Sequence, residues 1–151
     1  MAEPWGPDEV LAALPQKPPF LFVERILELS DEHIVGSYHF TGEEHFYAGH
    51  FPGNPITPGV ILLEAMAQVG VVALGLRLAS KQGLDLSPGF LTLFSEADVE
   101  FLNVVRPGQT ATTRAEVVYF RHRKLKVRAE MHTDDGRLVC SAELAGMGVT
   151  Q

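Results

Sequence analysis

Eighteen consecutive residues, Gly59 to Leu76 (GVILLEAMAQVGVVALGL), carry only two strongly polar side chains, Glu64 and Gln68. A stretch that long and apolar approaches what a membrane span requires. A carboxyl group near its middle argues against a span, because charge in hydrocarbon is costly. The flanking sequence has the alternation of soluble strands. The expectation is a buried helix in a soluble protein, with no membrane span. A helix apolar nearly all round must be covered nearly all round. A single curved antiparallel sheet wrapped about it would cover most of it, and a partner chain the rest. Ala65, Ala67, Gly70, Ala73 and Gly75 are small enough to let a sheet come close.

The remaining elements fit that picture. Asp8 to Leu14 has the pattern of a short amphipathic helix stopped by Pro15. Phe20–Leu29 and His33–Phe40 are expected as strands about a polar turn. Gly42 to Pro58 is expected as a loop stiffened by Pro52, Pro55 and Pro58. The long helix should run from about Pro58 to Ser80, with Thr57 as N-cap and Pro58 in the first helical position. A polar connection from Lys81 to Gly89 contains Gly83 and Pro88, and four strands follow: Phe90–Phe101, Thr110–Arg121, Lys124–Thr133 and Arg137–Met147. The 151 residues suit one domain, residues 1–151, of α+β class.

Charge and cysteine content narrow the function. A net charge of −7 disfavours a nucleic-acid binder. The single cysteine, Cys140, makes no internal disulfide, and the start MAEPWGPDEV has no signal-peptide pattern. A cytoplasmic protein is expected. His45 and His50, five apart near Glu43 and Glu44, do not have the spacing of a metal-ligand set, so no metal is expected. Cys140 falls in a strand and is expected to be a small buried hydrophobe.

The chemistry concentrates in Gly49 to Gln68, GHFPGNPITPGVILLEAMAQ. His50 sits in the proline-stiffened loop, and an imidazole is the side-chain type best suited to proton transfer under physiological conditions. Gly59 opens the helix, where backbone N–H groups have no intrahelical partner and no side chain blocks an approaching carbonyl. Glu64 lies about two turns into the helix, with Gln68 one turn further on the same face. Burial among Leu, Val and Ala should raise the Glu64 pKa, as a general acid requires. Taken singly, each has a plainer explanation: a capping histidine, a glutamate paired with a buried cation, a glycine serving backbone geometry.

This stretch closely resembles the signature of bacterial 3-hydroxyacyl-(acyl-carrier-protein) dehydratases of the FabZ type, which adopt the hot-dog fold. Pro15 to Arg25, PQKPPFLFVER, resembles that family's N-terminal strand motif. Phe101 with Val105–Gly108 resembles the end of its third strand, and Asp135–Cys140 its last hairpin. The resemblance implies His50 and Glu64 as the catalytic pair, Gly59 as the amide that polarises the substrate carbonyl, and Gln68 in support. It implies a homodimer with shared sites, an acyl carrier protein bearing a 3-hydroxyacyl phosphopantetheine thioester as partner, and no cofactor. Glu64, where a related isomerising type has Asp, favours the non-isomerising reaction. Departures lie at Gln16–Lys17, where the family usually has His-Arg, and at Glu100, Leu102 and Asn103, where basic residues usually flank the phenylalanine. These open a specialised acyl pathway and an altered carrier dock, for which Arg106 and the basic stretch Arg121–Arg128 are candidates. The rival functions are a hot-dog thioesterase, against which the HFPG motif counts, and a non-catalytic acyl-binding subunit, against which the full set His50, Gly59 and Glu64 counts.

Overall fold

The computed structural model describes residues 3–86 and 89–150; Pro88 of the expected connection lies outside them. Helix α1 spans Pro7–Ala13, and strands β1 and β2 span Arg25–Leu29 and His33–His39. A single 3-10 turn, His45–Ala48, interrupts the following loop. Helix α2 runs Gly59–Lys81. Strands β3 to β6 span Phe90–Phe101, Thr110–Arg121, Lys124–Thr133 and Leu138–Thr150. All pairings are antiparallel, in the order β1-β2-β4-β5-β6-β3, so β1 and β3 are the free edges. This one sheet curls around α2 as a hot-dog fold.

The helix is long and apolar enough to cross a membrane, yet 72% of its apolar window is buried within the chain. Its backbone is α-helical over Gly59–Ala67, widens to π-helical turns over Gln68–Ala73, and is α-helical again over Leu74–Lys81. The π segment sets three successive residues against different strands: Val69 meets Gly36 of β2, Gly70 meets Ala115 of β4 and Val127 of β5, and Val71 meets Gly146 of β6. A methyl group added at Gly70 would fall 2.9 Å from the Ala115 Cβ, so the close approach there requires glycine.

Three sequence expectations are corrected. The first strand begins at Arg25 rather than Phe20, because the backbone of Phe20 and Phe22 bonds to the Gln68 side chain instead of to a strand. Thr57 is not the helix N-cap; Pro58 is, and the Thr57 hydroxyl is taken by Tyr47. The last strand runs from Leu138 to Thr150 and outlasts the expected end at Met147, since β3 pairs with it as far as Phe90 against Thr150. Cys140 is fully buried, its Sγ 3.7 Å from the Met66 sulfur, and burial pushes its thiol up to about 12.

The start of α2 and the basic hairpin lie at opposite ends of the sheet. The N-terminus of α2 lies at the end where β3 finishes and β6 begins: Thr57 N–H donates to the Val105 carbonyl, and Phe101 packs on Gly59. The basic β4–β5 hairpin tip lies at the other end of β4, about 36 Å away along a strand of this length. Three of the five cations in Arg121–Arg128 share two carboxylates: Lys124 pairs with Glu96, Lys126 with Glu96 and Glu143, and Arg128 with Glu143.

Candidate active site

His50 is fixed from two directions. Its backbone N–H donates to the Tyr47 carbonyl (3.2 Å), and its ring Nδ1 lies 2.8 Å from the Ile56 carbonyl oxygen. A carbonyl oxygen has no proton to give, so Nδ1 must be the donor. The neutral ring is thereby held in the tautomer whose Nε2 lone pair is free to take a proton. The loop closes on itself: Ile56 N–H returns to the His50 carbonyl at 2.9 Å, and Phe51 and Asn54 exchange backbone bonds at 3.0 and 2.8 Å. At its base the Tyr47 and Thr57 hydroxyls meet at 2.6 Å.

Gly59 is the first helical residue, so its N–H has no acceptor in a preceding turn. A Cβ there would sit 3.3 Å from the Phe101 ring. The absence of a side chain thus leaves the amide reachable beside an aromatic wall.

Glu64 is half-buried, and its Oε2 accepts a 2.9 Å hydrogen bond from Gln68 Nε2. Burial pushes its carboxyl above the ordinary carboxylate range, and the Gln68 hydrogen bond draws it part of the way back. No cation pairs with it among the described residues, so the paired-glutamate explanation does not apply. Gln68 itself is wholly buried and fully engaged. Its Oε1 accepts the Phe22 N–H at 2.8 Å, and its Nε2 also donates to the Phe20 carbonyl at 2.9 Å. The acceptor bond from Phe22 fixes which end of the amide faces Glu64, so the carboxyl is always offered a donor on one oxygen. Its other oxygen, Oε1, has no hydrogen bond among the described residues.

Within one chain, His50 and Glu64 share no hydrogen bond; each is held by its own neighbours. Sequence reasoning singled out His50, Gly59, Glu64 and Gln68, and the structure shows what orients each of them. It did not find the Ile56 carbonyl, the Tyr47–Thr57 contact or the Phe101 wall. A loop closing on itself leaves no periodic trace, although the proline spacing marked the loop as stiff. Among the described residues, no group of three or more His, Cys, Asp or Glu could hold a metal.

A sheet curled about one apolar helix, with a histidine loop at the helix start and a half-buried carboxyl two turns in, defines a hot-dog protein. A family model described as the FabA-like domain matches residues 14–143, and the chain belongs to that family. The 3-hydroxyacyl-(acyl-carrier-protein) dehydratase FabZ of Thermomicrobium roseum is 38% identical over 149 residues, covering 98% of this chain and 89% of that one. Its counterpart from Chloroflexus aggregans is 40% identical over 138 residues, covering 90% of each. Among solved structures, the dehydratase heterocomplex ApeI:P from Xenorhabdus doucetiae superposes with a TM-score of 0.77 at 15% identity, over 97% of this chain and 93% of that one. A thioesterase from Pseudomonas aeruginosa superposes with a TM-score of 0.71 at 18% identity, over 99% and 97%. At these identities the two structures establish the fold.

Proposed function

We propose that this chain is a lyase that dehydrates 3-hydroxyacyl-carrier thioesters to trans-2-enoyl thioesters in fatty acid or related acyl-chain biosynthesis. The observation that carries this reading is the complementary preparation of two groups in a FabA-like chain: the His50 ring oriented by its Nδ1 bond to the Ile56 carbonyl, which leaves Nε2 clear, and Glu64 biased toward its neutral form. His50 Nε2 takes the proton from the carbon beside the thioester carbonyl. The Gly59 N–H stabilises the charge that builds on the carbonyl oxygen. Glu64 protonates the 3-hydroxyl through the oxygen that Gln68 leaves free. The C–O bond breaks, the double bond forms, and water departs; proton transfer from His50 back to Glu64 restores both. The thioester already acidifies the reacting carbon, so the residues present supply the proton transfers and no cofactor enters the scheme.

The active unit in this reading is a homodimer, each chain a single hot-dog domain over residues 1–151, in the cytoplasm. His50 of one chain faces Glu64 of the other. Two observations support a partner: His50 and Glu64 do not bond within a chain, and the helix start is ringed by exposed apolar side chains. Val60 is 71% exposed, Phe51 49% and Phe101 46%, and Leu102 and Val104 extend the patch. The twelve-residue free edge of β3 adjoins it, and an edge that long calls for cover. The carrier approaches the site end of the sheet, where the Arg106 guanidinium donates to the neutral Asn54 side chain at 3.4 Å and pairs with no carboxylate among the described residues. The decisive assay offers purified protein 3-hydroxyacyl-carrier substrates of several chain lengths and follows enoyl product and free thiol. Enoyl product supports dehydration; thiol release without it replaces the reading with a thioesterase; neither product leaves an acyl-binding subunit.

A further inference from the structure

Two buried hydroxyls close the base of the loop that carries His50, and the proton transfers proposed above use neither. Tyr47 Oη and Thr57 Oγ1 lie 2.6 Å apart, with Tyr47 4% and Thr57 3% exposed. Water does not compete for this bond, and a hydrogen bond fixes direction where apolar packing does not. Each partner also leads directly to a reacting group. The Tyr47 carbonyl accepts the His50 N–H. Thr57 follows Ile56, whose carbonyl holds the His50 ring, and stands two residues before Gly59. The Thr57 N–H is tied at 2.9 Å to the Val105 carbonyl, in the segment after Phe101, so this end of the loop is anchored to the sheet. Burial pushes the Tyr47 phenol up to about 12, so the group stays protonated through the working range of pH.

We infer that Tyr47 and Thr57 are a positioning pair that sets the His50 imidazole against the Gly59 amide. The inference rests on the proposed roles of His50 and Gly59. The pair joins the two ends of the loop, and what lies between its members is the short ladder that orients the imidazole. Without the bond, the Ile56 carbonyl is free to shift relative to Nδ1, and the ring loses what selects its tautomer. Displacing a reacting group by about 1 Å can cost on the order of a hundredfold in rate, and partial loosening costs less.

The test is a double-mutant cycle with a spectroscopic arm. Tyr47→Phe and Thr57→Val should each lower kcat about tenfold while KM stays within about twofold, because a misplaced base slows chemistry more than binding. The double variant should be no slower than the worse single, since the two hydroxyls act as one bond. Thr57→Ser keeps the hydroxyl and should restore most of the lost rate. In ¹⁵N spectra of the wild type, the neutral His50 ring should show its proton on Nδ1; each single variant should show mixed tautomers. Wild-type kcat in both singles, or losses that multiply in the double variant, would overturn the pair. So would rate losses that follow the unfolded fraction with an unchanged imidazole spectrum. If the wild type fails to dehydrate any substrate, the proposed function falls instead, and the spectra still decide whether Tyr47 and Thr57 hold the ring.

Discussion

Replacing Gln68 by leucine isolates the most heavily used polar side chain at the site. The side chain is wholly buried and makes three hydrogen bonds, to the Phe22 N–H, the Phe20 carbonyl and Glu64. Leucine is of similar size, so no large cavity forms, and it removes the burial of the amide itself. The Phe20 carbonyl belongs to a residue 44% exposed, so water can replace its lost donor. The Phe22 N–H belongs to a residue 1% exposed, and stranding it costs about 1–3 kcal/mol. Crediting leucine with its own burial leaves a net loss of about 1–2 kcal/mol. For a chain of this size that lowers Tm by about 2–8 °C at fixed protein concentration. The effect on activity has a different cause. Glu64 loses the donor that orients it and that lowers its pKa, so kcat should fall about tenfold. A general acid is lost as it ionises, and the Gln68→Leu carboxyl ionises at higher pH. The basic limb of the pH–rate profile should therefore move upward. Scanning calorimetry and a pH series on the same preparations check both halves. A Tm within about 1 °C of wild type would show that Phe22 finds another partner. An unmoved basic limb would show that Gln68 does not tune the acid.

Four further outcomes are expected. His50→Ala and Glu64→Gln should each cost about 10²–10⁴ in kcat. Mixing the two inactive chains should restore up to about a quarter of wild-type activity, because half of randomly assorted dimers carry one intact site of two; no recovery after verified subunit exchange would place both groups in one chain's site. Glu64 has a raised folded pKa, so the stability its proton contributes is complete below the ordinary carboxylate value of 4.5 and disappears as pH rises through the folded value. The Tm of Glu64→Gln relative to wild type should accordingly rise from acid toward mildly alkaline pH, and a flat difference would refute the burial argument. Gly70→Ala should destabilise by about 1–3 kcal/mol, measured by denaturant titration, because its methyl would meet Ala115 at 2.9 Å and Val127 at 3.3 Å across a packed interface. Arg106→Glu should raise KM for carrier-bound substrate without affecting a short thioester lacking the carrier, whereas Lys124→Glu with Lys126→Glu should hardly change either, their charges being matched by Glu96 and Glu143; the reverse ranking would move the dock to the hairpin.

The apolar run from Gly59 announced a covered helix, and four alternating stretches after Phe90 announced the strands that cover it. Such patterns are legible because helix and strand periods are written in near neighbours. The candidate residues His50, Gly59, Glu64 and Gln68 could be singled out together because one short stretch carries them all. What the tertiary structure decided are the bonds made across long chain separations. Phe20 to Glu24 have strand-forming side chains, but Gln68, more than forty residues on, takes the backbone groups at 20 and 22. Lys124, Lys126 and Arg128 of the basic stretch gain their partners only when β3 and β6 bring Glu96 and Glu143 beside them. The π-helical turns at Gln68–Ala73 arise where four strands press on Val69, Gly70 and Val71. Local sequence sets which backbone angles are cheap; which donor meets which acceptor is settled only when the sheet closes on the helix and excludes water as a competing partner.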